Sequence, residues 1–274
     1  MEPVSLSIGA VGLMALLKTC VECFEYIGAA KTYGRNLELL TTKFAVEQAR
    51  LLIWGESVGI SSTNPTGSNR VETPHVRPIV EQILNCIRLL FEDTNALTVR
   101  YGLKCTDNEA PSSALLLAGP VDSPGLPLRL KASYVRFKSR IKLNHKQTST
   151  TKKAKWAIRD EKKFTSLVEE IHQLIDGLES VTNSAEIATK RAALIREELS
   201  TVEDHEDLRL IAEATADGNQ QWSDAASLAL GASVCGASIY DHVRDWISAV
   251  SDGRRSTTAD CADGMSRLTA LSAI

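Results

Sequence analysis

The chain has 274 residues, of which 43% are apolar, 24% charged and 5% aromatic. That excludes a wholly disordered or collagen-like polymer and leaves room for a substantial core. The formal net charge of −3 conceals a strong asymmetry: residues 131–163 carry 12 Lys/Arg against two acids, and residues 164–274 carry 19 Asp/Glu against eight bases.

Gly and Pro are sparse, Ala, Leu, Glu and Lys are plentiful, and no strand pattern stands out, so the expected fold class is an all-α multi-helix bundle. Residues 3–17 carry no charge. Leu13, Leu16, Cys20, Cys23, Phe24 and Ile27 then share one helical stripe, while Lys18, Glu22 and Glu25 recur on another, so the first helix is expected to reach Ile27. A second helix is expected from about Asn36 to Trp54, closed by Gly55 and Gly59. Residues 60–74 read as a loop. Ile79, Val80, Ile83, Leu84, Ile87, Leu90 and Phe91 mark a third helix, with a possible continuation to Tyr101 before Gly102. Four prolines fall in 105–127, the longest irregular connection.

Residues 128–143 and 150–159 read as basic helical segments. Asp160 is placed to cap the next helix, which Phe164, Leu167, Val168, Ile171, Leu174, Ile175 and Leu178 make the cleanest amphipathic element of the chain. Helices over 185–199 and 204–215 follow, and the Gly218-Asn219 pair breaks the pattern. The expected boundaries are a helical domain over 1–215 and a tail over 216–274. The tail has one helix, carried by Ile239, Val243, Trp246, Ile247 and Val250, and then little order.

No catalytic constellation can be assembled: G-x-S-x-G, H-E-x-x-H, a phosphate loop and a dinucleotide fingerprint are all missing. The chain is therefore expected to be no enzyme, with no cofactor and no small-molecule substrate. Cys20 and Cys23 have C-x-x-C spacing, but tetrahedral zinc needs four ligands and no second pair stands nearby, so both read as small buried hydrophobes. His172 reads as a boundary residue rather than a general base. Glu203, Asp204, Glu206 and Asp207 read as a solvated helix start suited to the positive end of the helix dipole. Six cysteines without a framework rhythm, and no basic region at Met1-Glu2-Pro3, suggest a reduced, intracellular protein. The basic block, with Lys138, Arg140, Lys142, Lys152, Lys153 and Lys155 as its leading residues, either faces an anionic surface or pairs with the acidic third of the chain. Nucleic acid is not expected as a partner, because no groove-reading motif or stacking platform accompanies the charge.

Several stretches resemble the HeLo domain of fungal heterokaryon-incompatibility proteins. They are Gly9-x-x-Gly12-Leu13 and Cys20-Val21-Glu22-Cys23-Phe24-Glu25-Tyr26-Ile27; Tyr33-Gly34-Arg35-Asn36; Ala49-Arg50-Leu51 with Trp54-Gly55-Glu56; and Lys152-Lys153-Ala154-Lys155-Trp156-Ala157. The similarity runs in order over about residues 4–215. Asn36 stands where the family usually has an acid, which leaves a helix-capping role for it. The resemblance implies a cell-death executor whose N-terminal helix enters membranes after an amyloid-type signal. Residues 216–274 show no pair of amyloid repeats.

The inserting residues would be Val4, Leu6, Ile8, Gly9, Val11, Gly12, Leu13, Leu16, Leu17, Phe24 and Ile27, with Lys18, Glu22 and Glu25 as a polar stripe. The uncharged stretch 3–17 reaches only about 22 Å as a helix, against a hydrocarbon core of about 30 Å. A longer span includes Lys18, at roughly 2.5–3.5 kcal/mol near the bilayer centre. Insertion is therefore expected only on oligomerisation, when the polar stripe can line a lumen, Gly9 and Gly12 can let helices approach, and basic residues with Trp156 at headgroup depth can hold an anionic leaflet. The expected location is cytoplasmic and conditionally membrane-associated, and the expected partners are copies of this chain or related HeLo chains. The alternative is a non-lytic inhibitor or adaptor whose first helix never leaves the core.

Overall fold

A computed structural model describes residues 10–28, 34–60, 70–105, 130–144 and 156–231. The first elements are α1 (Ala10–Phe24), β1 (Ile27–Gly28), α2 (Arg35–Ser57), α3 (Arg77–Glu92), β2 (Leu103–Cys105) and α4 (Ala132–Asn144). They are followed by β3 (Trp156–Ile158), α5 (Glu161–Val181), α6 (Ala185–Ser200), α7 (His205–Thr215) and α8 (220–231). The all-α expectation holds. Met1–Ala229 group as one compact unit and Leu230–Ile274 as another. The tail helix expected around Ile239–Val250 lies outside the described residues.

The axis of the first unit is α2. Its 23 residues bury nearly every face, with Leu37, Leu40, Phe44, Ala49, Leu51, Ile53 and Trp54 all in the core. Burial on so many sides needs neighbours on each, and α1, α4, α5, α6 and α7 pack around this helix. α3 lies against both α1 and α5, so α1 sits between α2 and α3. Three caps foreseeable from the residue types are formed: Asp160 accepts from the Lys163 N–H, Ser184 from Ile187 and Asp204 from Glu206. The cap of α2 is Gly34, in extended conformation and without a side-chain bond, so Asn36 lies inside the first turn and does not cap.

Several sequence expectations are corrected. Strands exist: β1, β3 and β2 form one small sheet, with Ile27 opposite Trp156 in parallel and Leu103 opposite Ile158 antiparallel. Residues 156–158, expected in a helix, are its centre. Two or three residues are too few for an alternation of period two to show in a sequence. Ile27 is not part of α1, because a turn closes the helix at Phe24, with the Glu25 and Tyr26 N–H groups donating to the Glu22 and Cys23 carbonyls. Gly55 does not end α2, which runs on to Ser57; Gly59, at φ +84°, makes the turn after it. α3 stops at Glu92 because Asp93 leaves helical geometry, and its carboxylate then receives the Ala96 N–H to start a separate π-helical turn, Ala96–Arg100. Beyond Thr215, α8 buries Trp222 and Ala226.

Candidate functional site

The candidate site is α1 together with what holds it. Leu13, Leu17, Cys20, Val21, Cys23 and Phe24 are buried; Gly12 and Leu16 are half-buried. Val11 lies on the same helix, and Val4, Leu6, Ile8 and Gly9 lie outside the described residues. Phe24 packs on Phe44 and Phe91 at ring separations of 4.8 and 5.2 Å, and Phe44 continues to Phe164 at 5.3 Å, so one aromatic cluster joins α1, α2, α3 and α5. The Cys20 thiol donates to the Leu84 carbonyl at 3.2 Å. Burial, with Cys23 beside it, pushes that thiol up to about 12, so it stays protonated and inert while α1 is docked. Both cysteines are the core hydrophobes their stripe suggested.

The polar stripe faces outward and is engaged. Lys18 and Glu22 form an ion pair at 3.6 Å. Glu25 accepts a hydrogen bond from the Tyr134 hydroxyl of α4 and lies 3.9 Å from the Lys138 ammonium, which itself stands 4.5 Å from the Tyr134 ring centroid. Burial and the Glu25 carboxylate both raise the Tyr134 phenol well above its ordinary value. The segment after α1 is tied by the sheet and by Trp156 N–H donating to the Tyr26 carbonyl at 2.7 Å. Trp156 is therefore a core residue, 8% exposed, and not a headgroup anchor.

The basic surface is divided. Lys138 is exposed and faces Glu25. Arg140 and Lys142 belong to α4, and Lys152, Lys153 and Lys155 lie outside the described residues. Arg136, not among the expected residues, pairs with Glu56 at 3.2 Å and Glu197 at 2.9 Å. Part of the basic block is thus neutralised by acids of α2 and α6.

Sequence reasoning missed one buried charge network. Arg50, its side chain 1% exposed, reaches Glu47 at 2.9 Å, Asp176 at 2.5 Å and Glu179 at 3.2 Å. Burial works against its charge, but Glu47 and the other carboxylates hold the guanidinium above its ordinary pKa. His172 adds contacts of 2.8 Å from Nδ1 to Glu47 and 3.3 Å from Nε2 to Asp176. Nδ1 also lies 2.9 Å from Arg50 Nη1, but it cannot accept from Arg50 and donate to Glu47 at once. The Glu47 hydrogen bond raises the ring pKa, against burial and the Arg50 charge, which lower it. His172 is thus a boundary residue with a structural role in bracing α2 on α5. The signal available was Arg50 as the one charge in the apolar run Ala49–Trp54.

α1 has 15 residues, and among the described residues no helix is long and apolar enough to cross a membrane. Nor does any group of His, Cys, Asp and Glu among them form a metal site.

Residues 5–211 match the HeLo family model, described as prion-inhibition and propagation. The heterokaryon incompatibility proteins s and S of Podospora anserina are each 28% identical over 233 residues, 85% of this chain and 76% of theirs. The solved HET-s N-terminal domain is similar at 26% identity and a TM-score of 0.55, covering 81% of this chain and 98% of that one; a doubly substituted variant of it gives 0.54 over 80% and 98%. The residues that carried the resemblance have structural work in this fold: Gly55 admits Leu17, Arg50 anchors three carboxylates, Trp54 Nε1 donates to Thr182 at 2.9 Å, and Trp156 centres the sheet. This chain therefore belongs to the HeLo, prion-inhibition and propagation, family.

Proposed function

We propose that this protein is a heterokaryon-incompatibility type executor of cell death, non-enzymatic, in which α1 and the residues before it leave the bundle on oligomerisation and permeabilise membranes. The observation that carries the reading is the character of α1. Its buried face is apolar enough to exchange a protein core for lipid, while its outer face keeps Lys18, Glu22 and Glu25. Each buried Leu or Phe is worth roughly 1.5–3 kcal/mol against water, and lipid returns most of that. What remains is the polar stripe, at roughly 2.5–3.5 kcal/mol per charge near the bilayer centre, which a lumen between several copies removes. In this reading the resting protein is cytoplasmic, and its partners are copies of itself, related HeLo chains and an anionic leaflet.

Leakage from anionic vesicles tests this. Leu16→Lys changes a half-buried residue of α1 and is expected to abolish leakage while the melting curve persists. Undiminished leakage by that variant would refute insertion of α1.

The second reading is a non-lytic adaptor, favoured by the sheet pinning β1 to Trp156 directly behind α1. It expects hydrogen-exchange protection of residues 10–27 to be the same with and without vesicles, whereas the executor loses protection there.

A further inference from the structure

A cleft of about 610 Å³ opens between β2 and the start of α5. Its floor is Gly102, whose carbonyl accepts the Arg159 and Asp160 N–H groups at 3.0 and 3.1 Å. Gly102 has φ +66°, and a Cβ there would lie 2.5 Å from the Asp160 Cβ, so the close approach of the two segments requires glycine. Around the floor stand Lys104, Arg159, Lys162 and Lys163, with Asp160 and Glu161. The Asp160 carboxylate holds the Lys163 N–H at 3.1 Å, and the Lys163 ammonium donates to the Val99 carbonyl at 2.9 Å.

Arg159 is set apart by what it lacks. Arg35, Arg50, Arg77, Arg88, Arg100, Arg136, Arg191 and Arg209 are matched to carboxylates, and Arg196 to the Ala192 carbonyl. The Arg159 and Lys162 side chains have neither an ion pair nor a hydrogen bond, and both are exposed at the cleft. Arg159 and Lys162 are thus two neighbouring cations that the fold leaves unmatched.

We propose that this cleft binds a phosphomonoester. Four cations and two carboxylates leave a surplus of two positive charges, which matches a monoester, about −1.5 to −2 near neutral pH, better than a singly charged diester. Arg159 supplies a planar fork for two phosphate oxygens, and Lys162 supplies a point charge. None of the residues lining the cleft belongs to α1 or α4. The site deepens the membrane reading by naming the lipid chemistry, and it rests on that reading only for the lipid as source.

The test is flotation of the full chain with phosphatidylcholine vesicles containing phosphatidylinositol 4-phosphate or charge-matched phosphatidylserine, plus calorimetric titration with glycerol 3-phosphate. The monoester vesicles are expected to bind about tenfold more tightly, the gain from one charge-assisted hydrogen-bonded contact. Arg159→Gln with Lys162→Gln is expected to erase that preference while leaving phosphatidylserine binding and the melting temperature unchanged; Lys138→Gln is expected to keep the preference. Saturable binding of glycerol 3-phosphate as tight as vesicle binding would identify free phosphate compounds as the source, and binding to vesicles alone would identify a headgroup. Equal binding to the charge-matched vesicles with no glycerol 3-phosphate binding, or a preference surviving in the double variant, would overturn the site. Leakage is scored separately: monoester binding without leakage keeps the site and removes the pore, and leakage without the preference does the reverse.

Discussion

Leu17 on α1 fills the space that a side chain on Gly55 of α2 would need: its Cδ2 lies 2.5 Å from where a Cβ on Gly55 would stand. Gly55→Ala forces that buried leucine aside. Overpacking costs about 1–3 kcal/mol, and the better helix propensity of Ala returns about 1 kcal/mol. A net loss of about 1 kcal/mol is expected in urea unfolding. Leu17→Ala combined with Gly55→Ala is expected to cost less than the sum of the two singles, and strict additivity would show that the contact is not made.

The hydrogen bond from Tyr134 to Glu25 ties α4 to the end of α1. Tyr134→Phe removes the donor and leaves Glu25 with Lys138. Stability is expected to fall by about 1 kcal/mol, while hydrogen exchange over residues 20–27 accelerates and vesicle leakage starts earlier. Exchange unchanged in that segment would rule out a latch at this contact.

The buried Arg50 guanidinium pairs with three carboxylates, Glu47 buried, Glu179 partly buried and Asp176 half exposed. Arg50→Ala leaves Glu47 and Asp176 to His172 and Glu179 to Arg191, and is expected to cost about 3 kcal/mol, the low end for breaking a buried pair. Adding Glu47→Gln is expected to restore part of the loss. A melting temperature within a degree or two of the parent would contradict the network.

His172 is held above its ordinary pKa of 6.5 by the Glu47 hydrogen bond. A raised folded-state pKa means that the contribution is complete below the unfolded value and disappears as pH rises through the folded one. Stability is therefore expected to decline as pH rises above the ordinary histidine value of about 6.5, and His172→Gln is expected to flatten that slope in a series of urea midpoints. A parent slope of opposite sign would refute the assignment.

The long amphipathic elements were legible because a 3.6-residue period needs only local sequence. α5 with its Asp160 cap, the apolar stripe of α1 and the break at Gly218 all follow from residue order. Other features depend on partners far along the chain. Nothing near Trp156 announces that it will pair with Ile27 and Cys105 in a sheet, and nothing near Gly55 announces Leu17. Arg50 reads as an ordinary helical cation until α5 brings Asp176 and Glu179 to it. Arg159 and Lys162 read as two more charges of a basic block until the turn at Gly102 gathers them into a cleft.

By itself the sequence determined an all-α chain, an uncharged N-terminal stretch and the family. Tertiary structure alone decided that α1 is buried between α2 and α3, that Trp156 belongs to the core, and which basic residues are left unpaired. The reason is physical: periodicity and capping act over a few residues and are written locally, whereas burial and charge pairing are properties of surfaces that meet only when the chain is folded.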